Sequence, residues 1–222
     1  MIDIITRFGG MLAQSMGYTL LMTLFSLLIA FVIGLIFGLM NVSKSKVLNA
    51  IGTIYIDVIR GVPLMVLAFF IYFSLPALMQ TLGFAGFRLT IMQAGTAALS
   101  MNCGAYMAEI IRAGIQSVDR GQMEAARSLG LTYAQGMTRI VLPQAIRTMI
   151  PSIINQFIIT LKDTSILSAI GYPELFNTGK SVAALTLDSL NTWTVVGLMY
   201  LIVITVLSRI AKMVERRVNR GK

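Results

Sequence analysis

The stretch DRGQMEAARSLGLTYAQGMTRIVLP, residues 119–143, is the one segment polar enough and patterned enough to face water in a chain otherwise built of apolar runs. Asp119 followed three residues later by Gln122 is a helix-start signature, and Gly130 after Leu129 can take the left-handed conformation that closes a short helix. Thr132 with Gln135 repeats the start signal, and Pro143 is expected to limit the second helix. The stretch therefore predicts two short helices hinged at Gly130. Glu124 stands near the start of the first, where it suits the positive end of the helix dipole.

Outward from this loop the chain turns apolar. Its 222 residues are 56% hydrophobic and only 12% charged, with a mean hydropathy of +0.80, too apolar for a water-soluble domain of this length. The fold class is all-α and integral to a membrane. Spans are expected at about 17–40, 62–82, 89–112, 148–171 and 193–211, the fourth reaching length only with Lys162 and Asp163 inside it. Ala30, Gly34 and Gly38 put small residues on one face of the first span for close helix packing. Met1 to Ser15 reads as a separate interfacial helix, Val47 to Arg60 as a helix on the membrane surface, and Gly171 to Asn191 as a polar loop. Pro76 is expected to kink the far end of the second span. No leader is expected at the N-terminus, because the first apolar run is long enough to be retained.

Five spans put the termini on opposite sides. With the C-terminus inside, Lys44, Lys46, Arg120, Arg127, Arg139 and the tail of Lys212, Arg216, Arg217, Arg220 and Lys222 are all cytoplasmic, while Arg7, Arg88 and Lys180 lie outside. Most of the net charge of +9 is thus a matter of topology and needs no nucleic acid. The sequence has no His, so His-ligated metal and His acid–base chemistry are absent, and the single Cys103 excludes an internal disulfide.

Glycine in the turn and Thr132 at the cap also fit a DNA-binding helix-turn-helix, but the flanking spans leave no third helix to complete its core. Enzyme signatures are missing: Gly179-Lys180-Ser181 is only the end of a phosphate loop, with Glu174 where its first glycine would stand. An ion channel is the competing membrane class, and it would conduct without any ATPase.

The loop itself narrows the field. Glu124-Ala125-Ala126, three residues, Gly130, nine residues, Ile140, one residue, Leu142-Pro143 resembles at every position the signature of ABC-importer permeases. The flanks Arg60-Gly61-Val62-Pro63-Leu64, Ala105-Tyr106-x-Ala108-Glu109-x-x-Arg112, Gly121-Gln122, Pro143-Gln144-Ala145 and Lys162-Asp163-Thr164-Ser165 resemble the polar-amino-acid subfamily of histidine, glutamine, glutamate and arginine type. The resemblance covers nearly the whole chain. It departs at Val62, where Thr is usual, and at Asp57, where Glu is common.

The resemblance implies a type I importer permease in the bacterial cytoplasmic (inner) membrane, with residues 119–143 as the coupling loop. Its first helix would insert into a groove on a separate cytoplasmic ATPase, through Gln122, Glu124, Ala125, Ala126, Arg127, Leu129 and Gly130. ATP and Mg would belong to that ATPase, and this chain would need no cofactor. Because such an ATPase is a dimer with two grooves, a second permease copy or a paralogue is implied, together with an extracytoplasmic amino-acid-binding protein and membrane lipid. Within the bundle, Ser152, Asn155, Gln156, Ile159, Lys162, Asp163 and Ile166 share one helical face, and Asn102, Tyr106 and Glu109 another. Asn102, Tyr106, Gln156, Lys162, Asp163, Thr164 and Ser165 are the candidate substrate residues. A zwitterionic amino acid would present its ammonium to Asp163 and its carboxylate to Lys162 or to the hydroxyls of Thr164 and Ser165. A second reading stands beside it, in which Lys162 and Asp163 only tie helices together, as Arg60 and Glu109 are expected to do.

Overall fold

A computed structural model describes residues 1–219, which form helices and connecting turns with no strand among them. Arg220 and Lys222 of the basic tail lie outside the described residues. Helix α1 spans Ile2–Asn41, α2 Lys46–Gly61, α3 Leu64–Phe69, α4 Leu75–Thr81 and α5 Ile91–Gln116. Then follow α6 (Arg120–Ser128), α7 (Tyr133–Gly136), α8 (Leu142–Asp163), α9 (Leu175–Thr186) and α10 (Ser189–Asn219). Among the described residues, four stretches are long and apolar enough to cross a membrane: Ile2–Asn41, Leu64–Thr81, Tyr133–Ile170 and Ser189–Met213.

The expected interfacial helix at residues 1–15 is not separate: α1 runs unbroken for 40 residues, roughly 60 Å at 1.5 Å per residue, far more than the ~30 Å hydrocarbon layer requires. Its N-terminal half is held by burial of Ile4, Leu12 and Met16 against Leu175, Val182, Val195 and Val196 of α9 and α10. Its C-terminal half lies along α5, where the expected small-residue stripe lets the two backbones close. A Cβ on Gly34 would stand 2.5 Å from Cβ of Met107, and one on Gly38 would stand 3.0 Å from the Ala108 carbonyl oxygen.

Helix α5 is the middle of the bundle. It packs against α1, α2, α3 and α8 and is studded with buried small residues, among them Ala94, Gly95, Ala98, Gly104, Ala105 and Ala108. Neighbours screen it from the surroundings, whereas Leu21, Leu24, Leu28, Val32 and Ile36 of α1 and Leu198, Leu201 and Ile202 of α10 are exposed, as suits helices bathed by lipid.

Three further expectations change. Helix α2 is not a detached surface helix, since it packs across α1 and α5. Tyr55 stacks on Phe37 with ring centroids 3.8 Å apart, and its hydroxyl donates to the Met101 carbonyl at 2.8 Å. Pro143 does not end a helix: a π-helical turn at Met137–Val141 precedes it, and the helix continues from Tyr133 through Ile170. The proline ring presses on the carbonyl four residues back, that of Arg139, and the widened turn gives it room. The same device, a π turn at Phe70–Ser74, precedes Pro76.

Residues 171–191 are not simply a polar loop, because they contain α9. Glu174, at the start of α9, is 0% exposed. Its carboxylate accepts from the backbone N–H groups of Phe176 (2.8 Å) and Asn177 (2.6 Å) and from the Tyr200 hydroxyl (2.8 Å), capping α9 and pinning it to α10. Burial pushes this carboxyl above the usual carboxylate range, against the pull of the three donors.

Candidate functional site

Two regions gather the polar residues. The first is the loop between α5 and α8. Asp119 caps α6, its carboxylate accepting from the Gly121 N–H. The helix ends in a Schellman arrangement: Gly130 takes φ +87°, its N–H donates to the Arg127 carbonyl at 3.0 Å, and the Leu131 N–H donates to the Ala126 carbonyl at 3.1 Å. Thr132 and Gln135 then close a reciprocal capping box, with bonds of 2.8 and 3.3 Å.

Gln122, Glu124, Ala125, Arg127, Leu129 and Gly130 are exposed, with Leu129 at 80%. They form an outward-facing surface on one short helix and its turn. Ala126 stands apart from them: it is 4% exposed and packs inward, where a Cβ on Gly136 would lie 3.4 Å from its methyl. Its small size lets α6 lie on α7. Gln122 also accepts from the Gln144 side chain at 3.3 Å, and Lys44 sits 4.9 Å from the centroid of the Tyr133 ring, tying the α1–α2 turn to the loop.

The second region is a cavity of about 520 Å³ walled by Arg60, Gly61, Val62, Pro63 and Leu64 from the α2–α3 break, Asn102 and Tyr106 from α5, and Gln156, Ile159, Asp163 and Ile166 from α8 and its continuation. Its size is that of an ordinary small-molecule site. Asn102 and Tyr106 lie near the midpoint of α5, and the break arises because Val62 is extended (φ −101°, ψ 129°) ahead of Pro63. Asn102 and Gln156 are buried at 7% and 5%. The Gln156 amide also reaches the Cys103 sulfur at 3.9 Å. Asp163 sits where α8 tightens into a 3-10 helix over Thr164–Ile170, and its carboxylate makes no hydrogen bond or ion pair among the described residues.

Four of the seven substrate candidates, Asn102, Tyr106, Gln156 and Asp163, thus share one cavity. The other three do not line it. Lys162 is exposed, the Thr164 hydroxyl is fully buried and donates to the Leu161 carbonyl at 2.7 Å, and the Ser165 hydroxyl donates to the Lys162 carbonyl at 2.7 Å. The shared polar face on α8 also divides, since Asn155 borders a separate groove with Ser208 and Lys212 of α10. The Gly61–Leu64 wall was visible in sequence only as the Arg60-to-Leu64 motif, and Ile159 and Ile166 only as members of the α8 face.

The family described as binding-protein-dependent transport system inner membrane components matches residues 30–220. This chain belongs to that family. The inner membrane component is 41% identical over 204 residues to a probable glutamine ABC transporter permease protein, GlnM, of Bacillus subtilis (strain 168), covering 92% of this chain and 91% of that protein. It is 36% identical over 209 residues to the glutamine transport system permease protein GlnP of Escherichia coli (strain K12), covering 94% and 93%. In three dimensions it is similar to a solved amino acid ABC transporter with histidines, with a TM-score of 0.88, 36% identity and 96% of each chain covered. The inner membrane component therefore has the type I ABC permease fold.

Proposed function

We propose that the chain is the membrane-spanning permease subunit of an ATP-driven importer for polar amino acids, with the α5–α8 cavity as the substrate site and the exposed surface of α6 as the ATPase contact. One observation carries the substrate assignment: a carboxylate, Asp163, that makes no hydrogen bond or ion pair among the described residues lines a cavity that also holds Asn102, Tyr106 and Gln156, the first two midway along the central helix. An uncompensated charge at that depth is costly, about 2.5–3.5 kcal/mol on insertion scales, so its retention fits a ligand that supplies the opposite charge. The ammonium of an amino acid does so. The relatives named for glutamine and other amino acids support the same class.

ATP hydrolysis and its Mg belong, in this proposal, to separate cytoplasmic subunits. One coupling helix per chain and two grooves per ATPase dimer call for a second permease copy or a paralogue. An extracytoplasmic binding protein delivers the amino acid, in keeping with the family's description. Helix α5 serves as a fifth span, which sets the N-terminus outside and the C-terminus in the cytoplasm.

Asp163→Asn tests the cavity. It keeps the side-chain volume and removes the charge, so substrate-stimulated ATPase should fall about tenfold or more, the worth of a charge-assisted hydrogen bond, while assembly with the ATPase persists. Unchanged stimulation at every substrate concentration would place the site elsewhere; failure to assemble would make Asp163 a structural tie.

A further inference from the structure

The cavity contains one more charged side chain, and its surroundings are unusual. Arg60 closes the wall opposite α8. Its guanidinium carries five N–H donors, yet among the described residues it makes no hydrogen bond. Its ion-pair partner Glu109 stands 3.7 Å from Nη1, beyond hydrogen-bond reach. Glu109 is already served by Arg112, whose Nε donates to one oxygen at 3.0 Å and whose Nη2 donates to the other. Arg112 is in turn anchored to Gln116 at 2.9 Å. The Tyr106 ring lies 5.2 Å from the Arg60 Cζ and holds the flat guanidinium against the cavity wall by a cation–π contact.

The cavity thus has an underserved cation on its α2 wall and, on its α8 wall, an anion with no hydrogen bond or ion pair among the described residues, and the carboxamides of Asn102 and Gln156 line it with them. A free amino acid carries one group of each sign on a single carbon. Planar bidentate capture of a carboxylate is what a guanidinium does best. Lys162, the cation suggested by sequence, is exposed and does not line the cavity, whereas Arg60 does.

Resting on the cavity as the substrate site, we propose that Arg60 is a specificity-determining residue that receives the substrate's α-carboxylate, and that it does so by releasing Glu109. Glu109 competes with the substrate for Arg60 at little cost to itself, because Arg112 keeps it paired when Arg60 leaves.

The test is direct binding to the permease–ATPase complex in lipid nanodiscs, without the binding protein, so that the binding protein's own selectivity does not enter. The probes are the twenty L-amino acids, and then the α-amide of whichever binds best, which lacks the carboxylate. Arg60→Gln should weaken binding of the amino acid roughly ten- to hundredfold and abolish its preference over the amide. Arg60→Lys should keep part of that preference, and Glu109→Gln should tighten binding, which a merely structural ion pair would not do. An unchanged ratio of acid to amide in Arg60→Gln overturns the assignment. If that variant does not assemble, unchanged or weaker binding in Glu109→Gln overturns it instead. Asp163→Asn, measured in parallel, separates the levels. If neither Asp163→Asn nor Arg60→Gln weakens binding, the cavity itself is not the site; if only Asp163→Asn does, the cavity stands and the role of Arg60 falls.

Discussion

Two glycines show how one residue type serves two ends. At Gly130 the backbone has φ +87° and a Cβ would meet nothing within 4 Å, so only conformation demands glycine there. At Gly34 the conformation is ordinary helix, and space demands it. Gly130→Val should therefore leave the bundle folded and impair the turn, because a β-branched residue in the left-handed region costs about 1–2 kcal/mol or more. The expected outcome is normal thermal stability of the isolated permease with loss of ATPase co-purification and uptake. Gly34→Val should do the reverse, forcing α1 from α5 and lowering the melting temperature, since overpacking costs about 1–3 kcal/mol. Normal uptake by the Gly130 variant would sink the coupling role of the loop. Gly130, Thr132 and Gln135 were readable in advance because caps and turns are decided within a few residues. The exchange of Lys162 for Arg60 as the cavity's cation was not, because it depends on which of two neighbouring helices turns its charge inward, a tertiary choice that helical periodicity does not contain.

Helices were legible where apolar periodicity was long and misjudged where a single residue was taken as punctuation. Pro143 has the look of a stop, yet the π turn before it absorbs the ring. Charge in residues 171–191 suggested a loop, because Glu174 is outside the usual set of capping residues and the sequence alone does not reveal that its carboxylate is buried. That carboxylate serves three donors at once, so Glu174→Ala should leave them unpaired and destabilise the α9–α10 end by roughly 1–3 kcal/mol, read as a lower melting temperature in detergent. Glu174→Gln retains one acceptor oxygen of the two and should cost less. Its pH response is also fixed in sign. Burial raises the folded carboxyl above its unfolded value of about 4.3, so this group's contribution to stability is fully present below that value and is lost as pH rises through the higher folded one. The gap between the parent and Glu174→Gln should therefore narrow, or turn in favour of Gln, as pH goes from acidic to alkaline. A gap independent of pH would mean the carboxyl does not titrate differently on folding.

Packing sorts the charges into two ends of the molecule. Helices α1 and α5 run parallel: Thr96 donates to the Met22 sulfur at 3.2 Å near one end, and Gly34 and Gly38 meet Met107 and Ala108 toward the other. The α1–α2 turn with Lys44 and Lys46 therefore shares an end with the 119–143 loop, where Lys44 meets Tyr133. The start of α1, with Arg7, shares the opposite end with α9, which carries Lys180, because Ile4 and Leu12 pack on Leu175 and Val182. This is the asymmetry that the positive-inside rule reads as cytoplasm at the loop end. It also explains why hydropathy alone identifies four long apolar helices and not α5: a helix enclosed by others need not be as apolar as its lipid-facing neighbours. The proposed orientation follows for two exposed leucines, Leu187 (90%) on the α9–α10 turn and Leu129 (80%) at the end of α6. Cys103 is buried at 1%, so the native chain offers no background to a thiol reagent. With a membrane-impermeant maleimide, Leu187→Cys should be labelled in intact cells and Leu129→Cys only after permeabilisation. Labelling of both from outside would put the two ends of the Tyr133–Ile170 stretch on one side, which a single span cannot do, and the opposite pattern would invert the molecule and with it the cytoplasmic place of the coupling loop.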